Sequence, residues 1–289
     1  MASSLSADGR MLYFWQRDYE GVRPGGQGGK DIWQAPIVPL VDFTGDGKVD
    51  GADICTMVDC WATGDSVCDI GPMPWGDGVV DVEDLKVLAR YIGEEVDDPT
   101  LAAHWALDEA EGIIAHDSVG DRDATIVGAP IWQPDGGGLN GALELNGTTF
   151  LVAGSVLNPQ QGPFSVSGWV KGGAPGQSII SQQAGYDWLI LDSATGALMT
   201  ELCSGSRQSK ALYSDVVIAD GNWHRVCFTW DGTNRRLYVD DILVAEDTDV
   251  ALADCSGGVN IGCGKLMAPN TFFTGLIDDV RIYNRAVKP

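Results

Sequence analysis

Residues 220–247 read DGNWHRVCFTWDGTNRRLYVDDILVAED. Trp223, Arg225, Cys227 and Thr229 alternate there with His224, Val226, Phe228 and Trp230, the period of two that gives a strand two unlike faces. Asp231-Gly232-Thr233-Asn234 then interrupts with residue types that accept positive φ or hydrogen-bond back to their own backbone. A second alternating run spans Arg236 to Asp240, and after Asp240-Asp241 a third begins at Ile242-Leu243-Val244-Ala245. Three such runs joined by short turns predict an antiparallel meander. Outward from it, the chain from about Leu101 to Pro289 reads as the remaining strands of one sandwich. Strand signals stand at AHWALDE (103–109), GALELNG (141–147), FSVSGWVK (164–171) and GLIDDVRIYN (275–284), with a polar loop at 117–121. Many short strands in a chain with 38 glycines predict a mainly β fold, a β-sandwich or jelly roll.

Bulk properties narrow the partners. Apolar residues make up 44% of the 289, enough for real cores, and no apolar run approaches the roughly 18 to 20 residues that span a bilayer. A formal charge of −23 repels phosphate backbones and anionic lipid, which excludes nucleic acid and membrane insertion as expected roles and favours cations. Seven cysteines is an odd count, with no CxxC pair of the kind that marks structural zinc or a thioredoxin-like centre. Short spacing leaves Cys55 or Cys60 with Cys68, and Cys255 with Cys263, as open bridge choices. Met1 to Arg10 lacks the apolar stretch of a signal peptide, which leaves a native start, an artificial boundary and a truncated reading frame as open readings.

The segment 41–98 carries fifteen acidic residues against three basic ones, and their spacing is informative. Asp42, Thr44, Asp46, Gly47, Asp50 and Asp53 fall at positions 1, 3, 5, 6, 9 and 12 of a calcium loop, with Lys48 offering its carbonyl at position 7. Ca²⁺ takes six to eight hard oxygen ligands, and glycine at position 6 permits the turn that aims them inward. An amphipathic helix is expected to follow, with Ile54, Met57, Val58 and Trp61 on its buried face. A second loop has Asp77, Gly78, Val79 (by its carbonyl), Asp81 and Asp84, ahead of a helix whose inner face would be Val82, Leu85, Leu88, Ala89 and Ile92. Counting back puts Met73 and Trp75 at its first and third positions, so Asp69 fills position 1 only if residues 70–75 bulge as an insertion.

Two loop-plus-helix halves in under 60 residues resemble a dockerin type I module over about 41–92. That resemblance implies a calcium-stabilised fold and a cohesin-like partner, but the Ser/Thr recognition pair expected at positions 10 and 11 is replaced by Gly51-Ala52 and Val82-Glu83. A calcium-rigidified spacer is the structural alternative. Residues 1–40, with SADG, LYFW and the glycine-rich RPGGQGGKDIW, read as a hairpin and resemble a blade edge of PD40/TolB-like β-propeller repeats, here a fragment of one. A polar linker EEVDDPT at 94–100 marks the boundary to the last domain, so the expected division is 1–40, 41–98 and 99–289.

The sandwich segments in their order, HWALDE, DSVG, GALELNG, FSVSGWVK, DGNWHRVCFTWDG, LYVDD and GLIDDVRIYNRAV, resemble the LamG-like, concanavalin A-like jelly roll. Asp241 stands where that family places glycine in a hairpin turn, which predicts a small backbone strain. Such domains imply binding of glycan or extracellular protein, with Ca²⁺ at a sheet rim and an Asp on the final strand. Alternation assigns Asp278 to the face of Leu276, Val280 and Ile282, where a lone carboxylate is costly, so Asp278 is a candidate metal ligand with Asp117 as its loop partner. Most tryptophans, Trp169 included, are expected in the core. Glycosidase carboxylate patterns (ExDxE, ExDxxE) and a GxSxG elbow are missing from the sequence, and His104, His116 and His224 read as structural. The expected protein is an extracellular or cell-surface, calcium-dependent, non-catalytic binding protein. The alternatives are an accessory part of a polysaccharide-degrading enzyme and a surface-assembly or adhesion subunit.

Overall fold

The computed structural model describes residues 3–5, 11–17, 30–36, 40–65, 67–72, 76–93, 98–204 and 210–289. The chain divides into two compact units, residues 1–98 with Lys288 and residues 99–287 with Pro289. In the first, β1 (Ser3–Leu5), β2 (Met11–Arg17) and β3 (Lys30–Pro36) form a three-stranded antiparallel sheet in that order. Its hairpin register runs from Met11 opposite Pro36 to Arg17 opposite Lys30. The glycine-rich turn at 24–29 lies outside the described residues, and the propeller assignment rests on the sequence resemblance alone.

Two short helices follow, α1 (Gly51–Asp59) and α2 (Val82–Leu88), each opened by a capping box. Asp50 accepts from Ala52 N at 2.8 Å while Asp53 accepts from Asp50 N at 2.9 Å. Asp81 and Asp84 repeat the arrangement in front of α2, at 2.8 and 2.7 Å. Val49 and Val80, one in each loop, are both buried, and each bonds the chain a few residues beyond the other loop's helix. Ala62 N donates to Val80 O at 2.9 Å, and Gly93 N donates to Val49 O at 2.7 Å.

The inner faces of these helices differ from those the apolar spacing predicts. In α1 the buried stripe is Asp53, Met57 and, just past the helix, Cys60, whereas Val58 is 57% and Trp61 42% exposed. In and just beyond α2, Asp84, Val87 and Leu88 point inward while Val82, Ala89 and Ile92 are exposed. The reason is the carboxylate at the twelfth loop position. It must turn inward to collect backbone N–H donors, and that fixes the rotation of each helix about its axis.

The second unit is a sandwich of two antiparallel sheets. One runs β17 (Ile242–Thr248), β16 (Asn234–Val239), β15 (Trp223–Trp230), β10 (Phe164–Gly172), β19 (Thr274–Tyr283), β8 (Ala142–Asn146), β7 (Ile131–Gln133), with β4 (Leu101–Trp105) also on β19. The other runs β14 (Leu212–Val217), β13 (Ala197–Thr200), β12 (Asp187–Leu191), β11 (Ser178–Gln182), β18 (Val259–Ile261), β9 (Phe150–Ala153), β6 (Ala124–Val127), β5 (Ile114–Ala115). The meander of 220–247 is therefore β15, β16 and β17 on one edge of the first sheet. Inward side chains of both sheets form a continuous core that includes Trp105, Leu143, Val166, Trp188, Phe228 and Ile261. A tilted aromatic chain runs through it, Phe228 to Phe164 and Phe164 to Trp188, each with centroids 5.5 Å apart. The hairpin between β16 and β17 turns through Asp240 (φ 52°) and Asp241 (φ 64°), the left-handed geometry that makes Asp at that turn mildly strained.

Candidate functional site

The first loop is built around two buried carboxylates. Asp42 accepts from Gly45 N (2.7 Å), Asp46 N (3.2 Å) and Gly47 N (2.9 Å), which wraps the loop about its head group. Asp53, at the other end, accepts from Phe43 N (2.8 Å) and Thr44 N (3.1 Å), so both ends converge. Thr44 Oγ1 lies 3.3 Å from both Asp42 and Asp53. Burial pushes both acids above their ordinary range against these hydrogen bonds, and the negative charge of Asp46 pushes the same way. The donor set is hard oxygen throughout and its charges repel each other, a combination that fits Ca²⁺.

The second loop repeats this geometry after an insertion. Asp69 accepts from Asp77 N at 3.0 Å and Gly78 N at 2.8 Å, as Asp42 does from Asp46 and Gly47. Asp84 accepts from Ile70 N at 2.7 Å and Gly71 N at 2.6 Å, as Asp53 does from Phe43 and Thr44. Asp69 thus occupies the first position, and residues 73–75 of the intervening stretch lie outside those described. Gly71 stands in the place of Thr44, so this loop has one oxygen side chain fewer. A Cβ at Gly76 would lie 2.1 Å from Asp69 Oδ1, which shows how closely the backbone wraps the carboxylate.

In the sandwich the acid pair Asp278-Asp279 falls where β19 changes partner. Ile277 is its last residue opposite β8 and Val280 its first opposite β4. On the other edge the register with β10 slips between Ser167 and Trp169, and Asp279 takes φ 49°. This irregularity breaks the alternation expected for Asp278. Ile277, Val280 and Ile282 all enter the core, while Asp278 pairs with Trp169 on the outer face. There it is buried beneath residues 137–141, accepting from Leu139 N at 2.7 Å, with its other oxygen unpartnered. Burial first, then repulsion from Asp279 and Asp108, push this carboxyl up to about 7. Asp108, which accepts from Gly141 N at 2.7 Å, is thus the acidic neighbour. Asp117 instead binds His104 N (3.0 Å), Val119 N (3.1 Å) and Arg122 N (3.2 Å), and it does not share a contact with Asp278. The sequence signal for Asp108 was the acidic end of HWALDE, read there only as a strand.

Trp169 is likewise outside the core cluster. Its ring lies against Gly138, where a Cβ would come within 2.8 Å of it. The register of β10 and β15 puts Trp169 opposite Arg225 and Lys171 opposite Trp223, so two half-buried indoles stand diagonally across neighbouring strands on one outer face. Lys171 and Glu144 both pair with Leu276 there, adding one group of each charge. Elsewhere in this unit a hollow of about 390 Å³ is lined by Leu157, Asn158, Gln161, Phe164 and Asn284. Neither feature was singled out from the sequence, because both require strands far apart in the chain.

The histidines tie loops to strands. His104 Nδ1 is 2.7 Å from Ser118 Oγ and its Nε2 2.8 Å from Asp279. The order serine, histidine, aspartate is that of a nucleophile relay, but Arg281 Nε bonds both oxygens of Asp279 at 3.0 Å. Burial opposes ionisation of Asp279, yet His104 and Arg281 prevail and hold it below the ordinary carboxylate range. Its charge already serves a guanidinium, so the trio is a latch between the 117–121 loop, β4 and β19. His224 sits between Asp240 (2.8 Å) and Asp220 (3.1 Å). Burial would lower its pKa, but these two acids raise it overall.

All seven cysteines are free thiols in this structure. Cys68 Sγ donates to Cys60 Sγ at 3.0 Å, whereas Cys55 is exposed. Of the other open choice, Cys255 with Cys263, Cys263 is buried and Cys255 Sγ donates to Gln183 O at 3.8 Å.

Against known proteins, the pattern described as the concanavalin A-like lectin/glucanases superfamily matches residues 145–289. No curated protein matches the chain. Among solved structures, domain 4 of AbnA, a GH43 extracellular arabinanase from Geobacillus stearothermophilus in complex with arabinotriose, has a TM-score of 0.51 at 22% identity and covers 66% of this chain and 95% of that one. The binding domain of Paraclostridial Mosquitocidal Protein 1 gives 0.48 at 13% identity, covering 65% and 49%. The binding domain of Botulinum Neurotoxin DC in complex with SialylT gives 0.48 at 13%, covering 65% and 48%, so the chain spans about half the length of both toxin domains. At 22% identity the likeness to the arabinanase domain is one of fold.

Proposed function

The chain belongs to the concanavalin A-like lectin/glucanases superfamily, and from that premise we propose that its sandwich is a non-catalytic, carbohydrate-binding module. The observation that carries the reading is the pair of indoles, Trp169 and Trp223, on one outer sheet face beside Arg225, Lys171 and Glu144. An indole presents a flat apolar surface that the C–H face of a sugar ring can cover, while neighbouring charged groups take its hydroxyls. Asp278 and Asp108, under the 137–141 loop behind Trp169, are the hard-oxygen groups that would hold a cation and fix that loop. The loop-helix unit is a Ca²⁺-binding module, with Asp42, Thr44, Asp46, Asp50 and Asp53, plus the Lys48 carbonyl, as its stronger site. Asp69, Asp77, Asp81, Asp84 and the Val79 carbonyl form its weaker one.

An extracellular setting suits both parts, because Ca²⁺ is abundant there and polysaccharides are the available ligands. The likeness to a domain of an arabinanase favours one particular context, an accessory part of a polysaccharide-degrading enzyme. The test is calorimetric titration of the whole chain with arabino-oligosaccharides and a panel of other glycans in Ca²⁺. Binding by one glycan class, weakened about tenfold or more by Trp169→Ala or Trp223→Ala, is expected. Binding unchanged in both variants moves the ligand to the hollow at Asn158 and Asn284, and silence across the panel beside capture of a protein partner overturns the carbohydrate reading.

A further inference from the structure

The loop-helix unit contains a pair of thiols that neither the calcium reading nor the sandwich uses. Cys60 closes α1 and Cys68 immediately precedes Asp69, the carboxylate that folds the second loop. Both are buried in the small core of this unit. The described residues between them are tied by hydrogen bonds of their own. Thr63 Oγ1 donates to Cys60 O at 2.5 Å, Asp65 Oδ1 accepts from Val67 N at 3.0 Å and Cys68 N at 3.4 Å, and Asp69 N donates to Asp65 O at 2.9 Å. The sulfurs are therefore held facing each other by a folded turn, 3.0 Å apart.

Two chemistries fit two facing thiols, a covalent bridge or a shared soft metal. Cys60, Asp65 and Cys68 do present three ligand atoms within 4.8 Å of one another. Two thiolates on one tetrahedral zinc, with Zn–S bonds of about 2.3 Å, stand about 3.8 Å apart. The observed separation falls between that and the roughly 2.05 Å of a disulfide. A structural zinc takes four ligands, whereas only three groups meet here among the described residues and Asp65 already accepts from Val67 N and Cys68 N, so the bridge is the better fit.

We propose that Cys60 and Cys68 form a disulfide, and that this bridge anchors Asp69 at the start of the second loop. The oxidant is a low-molecular-weight disulfide such as oxidised glutathione. One cysteine thiolate attacks its S–S bond and expels a glutathione thiolate, leaving a mixed disulfide. The second cysteine thiolate attacks the protein sulfur of that intermediate and expels the other glutathione. Two protein thiols become one disulfide, and one oxidised glutathione becomes two reduced. Cys55, exposed on α1, takes no part, which resolves the choice the spacing left open.

The experiment folds the full chain in a glutathione redox buffer, blocks remaining thiols with N-ethylmaleimide under denaturing conditions, and reads the intact mass and the peptide map. The expected result is two of the seven cysteines unlabelled, a single linked peptide joining Cys60 to Cys68, and full labelling after dithiothreitol. Cys55→Ser should leave that peptide unchanged, and it keeps the test decisive if Cys60→Ser fails to fold. Labelling of all seven, or a linked peptide joining other cysteines, overturns the proposal. So does protection of the two thiols that a zinc chelator abolishes without any reductant. None of these readouts depends on calcium, so the bridge can fail while the loops bind, or hold while they do not.

Discussion

The sandwich and the loop-helix unit bury their interiors by opposite means. In the sandwich, Trp105, Trp188, Phe164, Phe228 and the branched aliphatics of two sheets interlock, and apolar burial alone supplies the main driving force. Among the described residues the loop-helix unit has a core of ten, and threaded through it are the carboxylates of Asp42, Asp53 and Asp84. Each is compensated by backbone N–H donors. On the reading proposed above a cation completes the loop-helix unit, whereas the sandwich interior is completed chiefly by its own apolar side chains. What the difference teaches is that the same acidic composition acts structurally in one region and lies mainly on the surface in the other.

The largest effect expected from breaking this contrast is in the sandwich core. Phe228→Ala removes a ring packed on Phe164 and should cost about 3 to 5 kcal/mol. In a calorimetric melt the transition of the sandwich should fall, by the same amount with or without chelator. A chelator-dependent loss would mean that the two units do not separate in this way. Next in size is Asp42→Ala. At a hundredfold excess of Ca²⁺ over its dissociation constant, bound metal contributes about 2.7 kcal/mol to the native state. That increment should vanish from the transition of the loop-helix unit, and the variant should melt alike in Ca²⁺ and in EDTA. A variant that still gains stability from Ca²⁺ would move the site away from the first loop.

The smallest effect sharpens the comparison from the sandwich side, at the His224–Asp240 pair. The raised pKa of His224 means that its contribution is fully present below about 6.5, the unfolded value, and is lost as pH rises through the higher folded value. Melts taken from pH 6 to pH 9 should therefore show a slight decline in the sandwich that His224→Gln flattens. An increase in stability across that range in the native protein, relative to the variant, contradicts the assignment.

Legibility followed the range of the interactions. Period-two alternation marked β15 to β17 correctly, because a strand with one wet face records it in neighbouring residues. The spacing of the loop carboxylates was readable too, because Asp42 and Asp53 converge on Thr44 within twelve residues of chain. Helix rotation was not, because apolar spacing in α1 and α2 favoured Val58, Trp61 and Ile92 while the inward hydrogen bonds of Asp53 and Asp84 decided the matter. Asp278 failed for a related reason. One bulge, set by strands 100 residues and more away in sequence, turned its side chain from the inner face to the outer.

By itself the sequence determined the jelly-roll class, the meander, the two acidic loops and the ligand types they offer, all of them patterns that complete within a few turns of chain. Only the tertiary structure decided that Asp69 closes the second loop, that Asp108 rather than Asp117 neighbours Asp278, that Trp169 and Trp223 share an outer face, and that Cys60 is the thiol facing Cys68. Each of those is a contact between segments whose separation in space depends on register and packing, and a one-residue slip in a strand or a fraction of a turn in a helix would have given a different answer from the same residues.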